Sequence, residues 1–139
     1  MICPAAALAT LLGACSTKPV SVPLNVTVSE KQPRAWPSPP VAAPNAPPRI
    51  VRVWFSTLRI EPGSWFDGTI LVSTNVASVE VRTAAFSINS AHVAPGIYRF
   101  HTHVLELPPL SRRHWYELYI IARNTPGIAE SEEAPLRVE

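Results

Sequence analysis

The residues suited to chemistry are few and lie mostly in the second half of the chain. His101 and His103 stand at i, i+2 within Ile97 to Leu107 (IYRFHTHVLEL), so in a strand both imidazoles leave from the same face. Two imidazoles on one face begin a metal site, and His114 is the candidate third ligand; zinc wants three or four. The plainer expectation is a solvated strand face opposite the one shared by Tyr98, Phe100, Thr102 and Val104. Arg112-Arg113-His114 beside Trp115 and Tyr116 is a basic cluster that could grip an anionic lipid head group or a partner's carboxylate. The same run also reads as a solvated turn between strands. Trp54, Phe55, Trp65 and Phe66 would make a binding patch if exposed together, and core or edge residues if not. Catalysis finds little support. Asp67 is the only aspartate, and Glu130, Glu132 and Glu133 fall in an expected terminal loop without a histidine nearby. There is no Gly-x-Ser-x-Gly elbow, no His-Glu-x-x-His pair and no phosphate-cradling glycine loop. The sequence therefore predicts no enzyme and implies no cofactor.

The elements that must carry these residues are short and β-rich. Arg49 to Phe55 (RIVRVWF) is β-branched and aromatic, Glu61-Pro62-Gly63 is a turn signal, and Thr69 to Ser73 (TILVS) is a further strand. Val79 and Val81 alternate with Glu80 and Arg82, which marks a half-buried strand with one polar face. Phe86 and Ile88 suggest another. Trp115 to Arg123 (WYELYIIAR) is the strongest strand, Asn124-Thr125-Pro126-Gly127 turns the chain, and Leu136 and Val138 close it. No stretch carries a helical stripe of useful length. About seven short strands at roughly ten-residue spacing predict an all-β fold, a single antiparallel sandwich over 49–139.

The order Pro48-x-Ile50, Pro62-Gly63, Ser73-x-Asn75-Val76-x-x-Val79-x-Val81, then Tyr116-x-Leu118-x-Ile120-x-Ala122-x-Asn124-x-x-Gly127 resembles bacterial immunoglobulin-like and fibronectin-III-like domains. That resemblance implies that the Tyr116 run is strand F and that Tyr116 makes the corner hydrogen bond of the family. It implies little about function, because the architecture hosts many tasks. The Cys–Trp–Cys core of antibody domains is absent.

Ahead of this domain lie ten of the sixteen prolines, all within residues 1–48. Proline fixes φ and lacks the backbone donor, so the stretch forms neither helix nor central strand. Residues 16–48 are therefore expected to be a disordered, polyproline-II-like tether, reaching on the order of 100 Å if fully extended. Val20 to Val28 (VSVPLNVTV) alternates like a strand, and Pro23 confines it to an edge role. Ala5 to Ala14 is apolar and too short to span a bilayer, but suits the core of an export signal. Its end, Leu12-Gly13-Ala14-Cys15, resembles the bacterial lipobox, so residues 1–15 read as a lipoprotein signal with Cys15 as the lipidation site. Ser16 in place of aspartate implies, within that resemblance, export to the outer membrane of the bacterial envelope, facing the periplasm or the surface. Met1-Ile2-Cys3-Pro4 departs from the pattern in lacking Lys or Arg. Either the signal starts upstream, or export relies on the α-amino charge.

Charge narrows the partners. From Arg49 onward nine arginines meet nine acidic residues, so the domain lacks the basic footprint of nucleic-acid binding. It also has no cysteine, hence no disulfide and no thiolate metal site. The expected function is a lipid-anchored envelope protein whose non-catalytic domain binds another envelope protein or a glycan. The alternative is a structural spacer lipoprotein, with a metal-binding or enzymatic domain using His101, His103 and His114 as a third reading.

Overall fold

The computed structural model describes residues 21–84, 86–104 and 109–139. The signal segment 1–15, with Cys15, lies outside them, as does the end of the expected 97–107 strand. Ten strands run in chain order: β1 (Val26–Val28), β2 (Ile50–Phe55), β3 (Arg59–Ile60), β4 (Trp65–Val72), β5 (Val76–Arg82), β6 (Ser87–Asn89), β7 (Ala91–Ala94), β8 (Ile97–His103), β9 (His114–Asn124) and β10 (Ala129–Val138). They form two five-stranded sheets, ordered β1-β2-β4-β8-β7 and β3-β10-β9-β5-β6. Take β2, β4, β8 and β7 as A, B, E and D, and β10, β9, β5 and β6 as G, F, C and an extra edge strand. The order is then that of an immunoglobulin-type sandwich. Pairing is antiparallel except at two edges, where β1 runs parallel to β2 and β3 parallel to β10.

The sheets face each other through alternating side chains. From the first come Val53, Phe55, Phe66, Ile70, Val72, Tyr98 and Phe100; from the second, Val79, Val81, Leu118, Ile120, Ala122, Leu136 and Val138. With no disulfide, packing supplies the cross-sheet links. Within the first sheet Phe66 meets Phe55 at 5.6 Å and Phe100 at 5.1 Å between ring centroids, and it reaches across to Phe86, just before β6, edge-on at 6.5 Å. At the other end the buried Tyr98 hydroxyl donates to the Val76 carbonyl across the sandwich at 2.9 Å. Tyr116 makes the corner bond: its hydroxyl donates to the Ser111 carbonyl at 2.8 Å, just before β9. The Glu61–Ser64 turn also forms as its sequence dictates, with Ser64 N–H donating to the Glu61 carbonyl and Gly63 at φ +85° after Pro62.

Residues 21–48 do not stand off as a spacer. Val26–Val28 becomes the edge strand β1, in register with Val53–Phe55, which keeps the edge role expected for the VSVPLNVTV run. The chain then crosses the outer face of the first sheet. Trp54 Nε1–H donates to the Ser29 carbonyl at 3.1 Å, and Thr69 Oγ1–H to Gln32 Oε1 at 2.7 Å. The Arg52 guanidinium lies 5.7 Å from the centre of the Trp36 ring. Thr74 N–H donates to the Pro40 carbonyl, and the Asn75 and Asn124 side-chain amides both donate to Ala46 O. The expectation of a tether counted the donors that proline removes. It overlooked the carbonyls that proline keeps, which an extended, unladdered segment leaves free to accept. Under this strap Trp54, Thr69 and Leu71 are buried although they point away from the core.

Candidate binding surfaces

The first surface is the part of the outer first sheet that the strap leaves open. Register sets Trp65 of β4 opposite His103 of β8, and Asp67 opposite His101. The Trp65 indole lies parallel to the His101 ring at 4.2 Å and tilted to His103 at 4.9 Å, yet Trp65 remains 53% exposed. His101 Nδ1 is hydrogen-bonded to the Asp67 carboxylate, and His103 Nε2 to the Gly63 carbonyl at 2.8 Å. Beside the stack a cavity of about 290 Å³ is lined by Gln32, Trp54, Asp67, Arg99, Phe100 and His101. Arg99 Nε–H reaches Thr69 Oγ1 at 3.4 Å, which in turn holds Gln32. The strap thus supplies one wall and the sheet the floor.

His101 and His103 share the solvated face, as their spacing required, with Tyr98, Phe100 and Val104 buried behind them. His114 does not join them: it opens β9 in the other sheet. Among the described residues no three His, Cys, Asp or Glu side chains are grouped to hold a metal ion. The aromatic quartet divides as well. Phe55 and Phe66 are core, Trp54 lies under the strap, and only Trp65 is exposed. Glu130, Glu132 and Glu133 are not in a terminal loop but along β10.

The second surface surrounds Trp115, where β10 and β3 set Arg137 and Arg59 beside it in register. Both guanidiniums lie over the Trp115 ring, at 5.8 and 5.9 Å from its centre. Glu139 binds Arg59 at 2.9 Å and reaches Arg137 at 3.8 Å. Arg112 Nε–H donates to the Glu139 carbonyl at 3.0 Å, and Arg113 N–H to the Val138 carbonyl. Arg113 holds a left-handed φ of 61° that closes the turn into β9. Before it, Leu110 on the 3-10 turn Pro109–Ser111 is 90% exposed. On the far side of Trp115 an open groove runs past Arg82, Glu117 and Tyr119. Arg112, Arg113 and Trp115 were legible as candidates; Arg59 and Arg137 were not, because only strand register brings them there.

A third hollow of about 190 Å³, lined by Phe66, Phe86, Ser87, Ile88, Thr102, His103 and Val104, is mostly apolar. It offers one imidazole and no partner carboxylate among the lining residues, which is a poor set for acid–base chemistry.

No protein-family model matches the chain, and no curated protein matches it in sequence. Among solved structures it is similar to a DUF4785 family protein from Legionella pneumophila, with a TM-score of 0.50 and 14% identity. The match covers 62% of this chain and 27% of that protein, so the chain spans about a quarter of its length. At that identity the likeness concerns the fold. Among the described residues no helix is long and apolar enough to cross a membrane.

Proposed function

We propose that this chain is a lipid-anchored protein of the bacterial cell envelope whose immunoglobulin-like domain binds a glycan without catalysis. The Leu12-Gly13-Ala14-Cys15 pattern supports the anchor. The observation that carries the binding role is the half-exposed Trp65 indole, stacked on His101 next to a largely apolar cavity to which Gln32, Asp67 and Arg99 bring polar groups. An indole plate offers apolar contact to the hydrogen-bearing face of a sugar ring. The carboxylate, amide and guanidinium around it supply acceptors and donors for hydroxyls.

Calorimetry with soluble peptidoglycan fragments and a panel of neutral oligosaccharides tests this reading. The native chain should bind at least one, and Trp65→Ala should weaken that binding at least tenfold while the melting temperature holds. Failure to bind any of them would leave the spacer role standing. The anchor is tested separately by intact mass. A diacylglyceryl increment should be present in the native protein and vanish in Cys15→Ala.

A further inference from the structure

We propose that the end of the sandwich carrying Leu110 and the arginine cluster docks on an anionic phospholipid surface, as a second attachment beside the lipid anchor. The proposal rests on the anchored reading of Cys15. Its first support is local charge. The domain is neutral from Arg49 onward, yet Arg59 and Arg137 lie over Trp115, and the Arg112–Arg113 turn is bonded to the adjoining Val138–Glu139 end, against the carboxylates of Glu139 and, in the groove beyond Trp115, Glu117. Such a gathering in an otherwise balanced domain gives a directed field rather than general basicity.

The second support is rigidity. Arg59 and Arg137 are held over the indole, the Arg112 guanidinium donates to the Glu139 carbonyl, and the Arg113 backbone N–H is tied to Val138 of the last strand. Guanidiniums fixed in place lose little freedom when they meet phosphate oxygens, which their planar forks fit in pairs.

The third support separates a lipid from a dissolved anion. Leu110 projects from the turn next to Arg112 and Arg113, with 90% of its surface in water. A soluble polyanion has no use for that side chain. At a bilayer the arginines meet the head groups while the leucine enters the acyl boundary, and Trp115 sits at the depth where indoles collect. The acyl chains of a diacylglyceryl anchor hold the chain at the bilayer but leave the domain free to turn, and a basic patch sets which end faces the head groups.

The test uses full-length Cys15→Ala protein, so that no acyl chain contributes, in sedimentation with vesicles. One set is pure phosphatidylcholine; the other contains about 30% phosphatidylglycerol, roughly the anionic share that makes a basic patch bind. The N-terminal apolar segment is common to every chain compared, so it cancels. The expected result is preferential, salt-sensitive binding to the anionic vesicles. Arg59→Gln/Arg112→Gln/Arg113→Gln should lose on the order of a hundredfold, at about fivefold per charge. Leu110→Asn, a surface change that leaves the melting temperature intact, should lose several-fold. Equal binding to both vesicles, or an unchanged triple variant, overturns the proposal. Full release by millimolar inorganic phosphate with Leu110→Asn indistinguishable from its parent overturns it as well, and reassigns the cluster to a soluble anion. A native protein without acyl mass at Cys15 would remove the anchor while leaving the vesicle result to be judged alone.

Discussion

Glu132 shows how one side chain binds the strap to the fold. It projects from β10, where Asn25 Nδ2–H of the N-terminal segment donates to Oε2 at 2.8 Å. Its Oε1 is buried and has no hydrogen-bond partner among the described residues. Burial, with the neighbouring charge of Glu130, outweighs the Asn25 bond and raises the carboxyl above its ordinary range. The sign follows directly. The folded state holds this proton more tightly than the unfolded one, so stability is greatest below the ordinary carboxylate range. It falls as pH climbs through the raised folded value. Glu132→Gln keeps an acceptor for Asn25 and removes the buried charge. It should raise the melting temperature at pH 7 and flatten the loss of stability that sets in as pH rises above the ordinary carboxylate range. A lower melting temperature at pH 7 would show that Glu132 is stabilised by more than Asn25. None of this was legible in the sequence, where Glu132 is one of three acidic residues in a polar run. Partner and burial both come from a segment more than a hundred positions away.

At the scale of elements, β4 explains why the aromatic end of the core packs as it does. Gly68 points inward between Phe66 and Ile70. A methyl group there would lie 2.3 Å from the Phe100 ring and 3.1 Å from Phe55. Both rings are buried, so neither can swing away, and Gly68→Ala should destabilise by about 1–3 kcal/mol, the usual cost of overpacking. Thermal or urea unfolding measures it, and a neutral result would mean that the Phe100 ring has room to shift. Strands with a clean alternation were readable: Val79 and Val81 of β5, and the Trp115–Arg123 core of β9, appear where the pattern put them. The strands that were missed lack that signal. β3 is two residues long, and β7 (AHVA) is a mostly exposed edge. The first half of β10 (AESEE) presents glutamates on an edge that β3 covers only at Arg137 and Val138. The β1–β2 pairing joins segments separated by the proline-rich crossing, and no local pattern encodes such a partner.

For the molecule as a whole, the strap makes the domain larger than the region that alternates. A chain beginning at residue 49 would uncover Trp54 and Leu71 and lose the β1 edge. It should be less stable than one beginning at residue 21 by more than about 3 kcal/mol, on the burial of those two side chains alone. Comparing the urea midpoints of the two chains decides it; equal midpoints would mean the strap rests on the sheet without stabilising it. The sandwich and its corner tyrosine were readable because both are written in a contiguous run, whereas each binding surface is assembled from three or more strands, or from strand and strap together. The docked strap also changes the leash on which the protein would hang. With Asn25 already fixed to β10, only about ten residues separate the sandwich from Cys15, a reach of about 35 Å rather than about 100 Å. If Cys15 carries the lipid, the volume the domain can sweep shrinks roughly twentyfold, with the cube of that ratio. The effective concentration of its arginine-bearing end at the bilayer rises by the same factor. A segment that looked built for distance holds the domain close.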